Sequence, residues 1–224
     1  MNNNYQIKRI FNDIDKVLLS YNTGRNKSIS KEEKENYYIQ KLEEKSFDFI
    51  QESFEAYYNI IKDVPRENRG DNLNDNINER HLKKFLKRFN LKVSPKIMDS
   101  IHSEYIIEVY ANNHQQLFRS INFFNLSSYS LSTLVFLPWV ELYYRREKDA
   151  RELLSYASYV IENDTEILAP KNSSHILTEL ETQKKFKYSL EYIGNCVDEQ
   201  SNLTVGYITL IKVSKCTSRL NLVS

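Results

Sequence analysis

Glycine, cysteine and histidine are scarce in this chain, and each shortage removes a class of function. The four glycines among 224 residues, Gly24, Gly70, Gly194 and Gly206, stand alone. Loops that cradle phosphate need clustered glycines, and a serine nucleophile elbow needs glycines on both sides of the serine. The two cysteines, Cys196 and Cys216, make no Cys-x-x-Cys pair; in a cysteine-poor chain without an export signal they are expected as free thiols. His81, His102, His114 and His175 are scattered with no pair at ligand spacing, so no metal and no other cofactor is expected. No apolar run approaches the roughly 18 residues of a membrane span, and Met1-Asn2-Asn3-Asn4 is polar where a signal peptide leads into an apolar segment. The expectation is a cytoplasmic protein without a membrane partner. With 31 Lys and Arg against 30 Asp and Glu, no overall field draws nucleic acid to it. No catalytic constellation appears, and Glu108 and Glu141 are expected to be solvated or ion-paired acids, so a sensing or binding protein is expected rather than an enzyme.

What is abundant is aromatic: 16 Tyr and 11 Phe beside only four prolines, a composition of packed regular elements. Ile7, Ile10, Phe11, Ile14, Val17, Leu18 and Tyr21 recur at steps of three and four and predict a first helix. A second is expected from a cap at Ser30, with Glu33 reaching back to it, as far as Pro65. Its seam of Phe47, Ile50, Phe54, Tyr57, Ile61 and Val64 suits packing in a bundle or, alternatively, a homodimer contact. Residues Arg66 to Asn78 read as a polar loop. A third helix buries Leu82, Phe85, Leu86 and Phe89 and turns Lys83, Lys84, Lys87 and Arg88 outward; residues 79–96 hold seven basic residues against Glu79 alone. Such a face is either solvated or a docking site for phosphates or an acidic partner.

After Pro95 the periodicity falls to two, which places a boundary near residue 98: a helical region over 1–97, a second domain over 98–214 and a tail over 215–224. Tyr105, Ile107 and Val109 face inward, with Glu104 and Glu108 outward. Asn112-Asn113-His114 turns the chain into a second strand, Gln116 to Phe124. Ser130 caps a short helix, Pro138 opens another around Trp139, and Glu147 to Asn163 is amphipathic. Three more strands follow, the clearest carrying Phe186, Tyr188, Leu190 and Tyr192 in alternation. The fold class is α+β: five antiparallel strands with helices on one face.

Strand, strand, short helices, a longer helix and a three-stranded meander is the element order of the PAS domain, which residues 104–213 resemble. Phe124-Asn125-Leu126-Ser127-Ser128-Tyr129-Ser130-Leu131 is similar to the segment that leaves the family's second strand, Trp139 to Arg145 to its next helix, and Asp198 through Gly206 to Ile208 to its final hairpin. The resemblance implies a sheet curved around a cavity that registers a small-molecule ligand, with Phe123, Tyr129, Trp139, Tyr143, Tyr192 and Tyr207 as lining, and a regulatory output, such as transcriptional regulation, through a homodimer or an effector protein. The long helix carries no His to ligate haem, and Asn195-Cys196-Val197-Asp198 departs from the flavin-binding run of the photosensing branch in sequence and position. The chain ends eleven residues after Val213, too soon for an appended DNA-binding helix pair, so either the effector is expected from a partner or the chain is a truncated or degenerate copy of a longer regulator. The alternative function is a helical adaptor that binds nucleic acid or an acidic protein through the basic helix over 79–96.

Overall fold

The computed structural model describes residues 3–21, 29–41, 44–62, 76–171 and 173–215. Four helices come first: α1 (Asn3–Tyr21), α2 (Glu32–Gln40), α3 (Glu44–Lys62) and α4 (Asn76–Arg88). The single helix expected from Ser30 to Pro65 is thus two, with Lys41 in a turn after the first. The expected cap also differs. Ser30 donates its hydroxyl to Glu35, not Glu33, at 3.0 Å, and Glu35 also accepts the Lys31 amide at 3.1 Å. Val64, Pro65 and residues 66–75 of the expected polar loop lie outside the described residues, and residues 76–78, expected in that loop, begin α4.

The chain then forms β1 (Leu91–Lys92), α5 (Pro95–Asp99), β2 (Tyr105–Ala111), β3 (Gln116–Arg119), a 3-10 turn (Ile121–Asn125), α6 (Leu131–Phe136), α7 (Trp139–Leu142), β4 (Tyr143–Tyr144), α8 (Glu147–Glu162), β5 (Ser174–Glu179), β6 (Lys185–Asp198) and β7 (Thr204–Lys215). Ser130 caps α6 as expected, accepting the Thr133 amide at 3.2 Å. The second strand of the hairpin is shorter than its alternation suggests, because the chain passes into the 3-10 turn after Ser120. In the hairpin turn it is His114, at φ 64, that takes the left-handed conformation, not the asparagines before it.

The fold is α+β around one curled antiparallel sheet. The sheet holds seven strands in the order β3-β2-β7-β6-β5-β4, with β1 also pairing β6. The two strands beyond the expected five are the two-residue β1 and β4, too short to show as periodicity. Strand β6 is long enough for successive neighbours along one edge: β5 at its start, a bridge from Leu168 to Ile193, then β1 at Val197 and Asp198.

Both faces of the sheet are covered. Helices α6, α7 and α8 lie over the inner, concave face. The outer face carries Phe118, packed against Tyr57 of α3 and Phe85 of α4 at 5.9 and 5.2 Å between ring centres. That overturns the expectation of helices on one face only, and every residue from Tyr105 to Val109 is consequently buried. It also reverses the reading of β2. Tyr105, Ile107 and Val109 meet the outer layer, while Glu108, expected in solvent, points to the concave side at 1% exposure. The seam of α3 is used inside the chain too: Phe47, Ile50, Phe54, Tyr57 and Ile61 are all buried, and Phe54 meets Phe11 of α1 at 4.8 Å. It is not an exposed dimer contact.

A candidate ligand cavity on the concave face

A cavity of about 490 Å³ lies between the concave face and the helices α6 to α8. Its roof is apolar: Leu134 and Leu137 at the end of α6, Trp139 on α7, and Leu153 and Ala157 on α8. The exposed side chains Val140 and Leu154 flank it as well. Its floor is built by register. Cross-strand neighbours share a face, so the pairs Glu108 with Thr209 and Tyr110 with Tyr207 bring four polar side chains side by side; Tyr188, Leu190 and Ile193 continue the floor along β6.

Glu108 is neutralised in place. Its partner across the hairpin is Arg119, whose guanidinium lies 2.6 Å from Glu108 Oε1, with both side chains under 5% exposed. Tyr110 donates its hydroxyl to Glu108 Oε2 at 2.7 Å, and Gln116 donates to Tyr110 at 3.1 Å. Arg119 is stacked over Phe123 at 4.0 Å and near Trp139 at 5.1 Å, so aromatic faces take the place of water on the cation. Burial, followed by the nearby Glu108 carboxylate, raises the Tyr110, Tyr188 and Tyr207 hydroxyls above their ordinary pKa of 10.0 and keeps them neutral. At the hairpin end Tyr207 Oη and His114 Nδ1 are 3.0 Å apart.

A second guanidinium reaches the cavity from the chain between α7 and α8. Arg145 lies over Tyr188 at 5.1 Å and Trp139 at 5.6 Å. Its Nε is buried without a hydrogen-bond partner, as is Thr209 Oγ1. Buried polar atoms are rarely left in that state.

Of the six aromatic residues expected to line a pocket, Trp139 and Tyr207 do so. Phe123 and Tyr143 border an adjoining crevice of about 10 Å³. Tyr129 is wholly buried in the core, its hydroxyl donating to the Leu142 carbonyl at 3.0 Å. Tyr192 faces the opposite side, edge-on to Tyr105 at 6.5 Å. The cause is a β-bulge: pairing jumps from Leu190 with Ile211 to Tyr192 with Leu210, and one extra residue flips every side chain beyond it. Ile193 takes the inward place that simple alternation assigns to Tyr192. Arg119 and Arg145 escape a reading based on aromatic residues, whereas Glu108, expected as a solvated or ion-paired acid, is ion-paired. Glu108 lies four residues before Asn112 and Arg119 six after Asn113, so no simple symmetry about that turn marks the two as partners.

The basic residues singled out on α4 are all exposed. Lys83 pairs with Glu79 at 2.5 Å and Arg88 with Glu52 of α3 at 3.5 Å, as a solvated face opposite acids does. Cys196 is a free, buried thiol whose pKa burial pushes up to about 12; Cys216 lies outside the described residues. Among the described residues, no helix is long and apolar enough to cross a membrane. No protein-family model and no curated protein matches the chain.

Proposed function

We propose that the protein is a ligand-sensing regulatory module of the PAS-like kind, in which a small molecule enters the concave cavity and its presence is read by the N-terminal helices. The cavity itself carries this reading. Its volume falls within the roughly 300–1,000 Å³ of small-molecule sites, and it combines apolar walls with buried polar atoms that have no protein partner.

The route from cavity to output is physical contact. Helix α6 roofs the cavity and is held from its other side by α1 and α2. Asp15 of α1 accepts the Leu131 amide at 3.1 Å, Thr133 donates to Glu35 of α2 at 2.5 Å, and Phe11 meets Phe136 at 5.1 Å. An occupant that favours one position of α6 therefore favours one position of α1 and α2, and acts to the extent of that preference. The exposed side of these two helices is where an effector protein would read the change, and transcriptional regulation is one such output.

Native mass spectrometry of the full chain tests the reading. The expected result is a retained molecule of a few hundred daltons, lost in an Ala157→Phe variant that fills the cavity from α8. A correctly folded protein that retains nothing, and whose α1 and α2 amides exchange identically with and without cell-extract metabolites, overturns it.

A further inference from the structure

The charges around the cavity do not cancel, and the remainder specifies its occupant. Glu108 is the acid of the floor, and Arg119 behind it matches it at 2.6 Å. Arg145 has no such match among the described residues. The acids near its end of the cavity are engaged elsewhere: Asp149 is gripped by Arg146 at 2.8 and 3.0 Å, and Glu141 is held by Lys34 at 2.5 Å and by Tyr38. Arg145 instead lies over the rings of both Trp139 and Tyr188 and leaves Nε buried with no acceptor. A guanidinium that packs on two rings and keeps an unused buried donor is suited to a planar anion.

We propose that the cavity takes a monocarboxylic acid with an apolar body, its carboxylate on the Arg145 guanidinium and its hydrocarbon against Leu137, Leu153 and Ala157. One unmatched cation balances one negative charge, whereas a phosphate dianion would leave excess charge in a low-dielectric site. The Thr209 hydroxyl supplies a second donor on the floor. The apolar roof excludes a small hydrophilic acid, which would lose hydration without replacing it. The inference rests on the ligand-sensing reading of the same cavity.

The chain's only tryptophan, Trp139, lines the cavity, so its emission reports occupancy in the intact protein. Phenylbutyrate and phenylbutyramide, equal in shape and different in charge, are titrated against it. The acid is expected to bind about tenfold or more tightly than the amide, since a charge-assisted pair is replaced by a neutral contact. Arg145→Gln should abolish that preference, and Arg145→Lys should keep part of it; the wild-type comparison stands even where a variant folds poorly. Equal affinity for acid and amide, or a preference that survives Arg145→Gln, overturns the carboxylate assignment and leaves a ligand cavity in place. Failure of both probes to change the emission, in a protein that also retains no molecule in native mass spectrometry, overturns the assignment together with the sensing reading.

Discussion

The side chains with most at stake are charged or ionisable groups that the fold has removed from water. Glu108 and Arg119 hold each other in a site where neither is otherwise tolerable, so removing one leaves the other uncompensated. Arg119→Met is expected to cost about 3–5 kcal/mol, and Glu108→Gln combined with it should cost less than the two single changes added together. Urea denaturation of the four proteins in that cycle measures the difference. The two buried histidines behave differently. His81 is pushed down to about 4 by burial and then by Lys84 and Arg80, and His175 to about 4 by burial and then by Arg145. Both are neutral in the folded protein, while the unfolded chain takes up protons near the ordinary value of 6.5. Stability is therefore whole above pH 6.5 and falls as the pH drops toward about 4. The urea midpoint should follow that window, and His175→Gln should reduce its slope by about one proton. These groups were hard to see in the letters alone, because Glu108 reads as a solvent residue until both faces of β2 are known to be covered.

At the scale of elements, pairing decides where side chains go. Gly206 is where β7 passes β2 so closely that an added Cβ would lie 2.0 Å from the Tyr110 carbonyl oxygen. Gly206→Ala is expected to destabilise the protein by about 3 kcal/mol, the upper range for overpacking, and to weaken amide protection on both strands, as hydrogen exchange can show. Most elements were legible in the sequence: α1, α4, α8 and the strands β2, β6 and β7 show in their hydrophobic periods, and Ser130 marks the start of α6, whereas β5 buries His175, Leu177 and Glu179 and leaves the apolar Ile176 exposed. The failures share a physical cause. A β-bulge leaves no compositional trace, so Tyr192 was given the inward place that Ile193 occupies. The two-residue strands β1 and β4 exist only because β6 and β5 offer them an edge. Lys41 turns the chain between α2 and α3 although the residues around it suit a helix.

For the whole molecule the decisive fact is that the helices before residue 90 and the sheet after it share one hydrophobic core, running from Ile7 to Ile211. The seam on α3 is spent inside that core. Ile61→Asp should therefore lower the melting temperature equally at all protein concentrations, whereas a seam between two copies would make the loss depend on concentration. The same continuity lets a cavity under α6 be felt by α1 and α2. By itself the sequence determined the class of fold, the order of its elements and the absence of familiar catalytic and nucleotide motifs, because periodicity and turn chemistry act between near neighbours. Only the tertiary structure decided which strand faces were covered and which charges met. It also decided that Arg145 was left without an acid partner among the described residues beside the cavity, because those outcomes depend on residues brought together from distant parts of the chain.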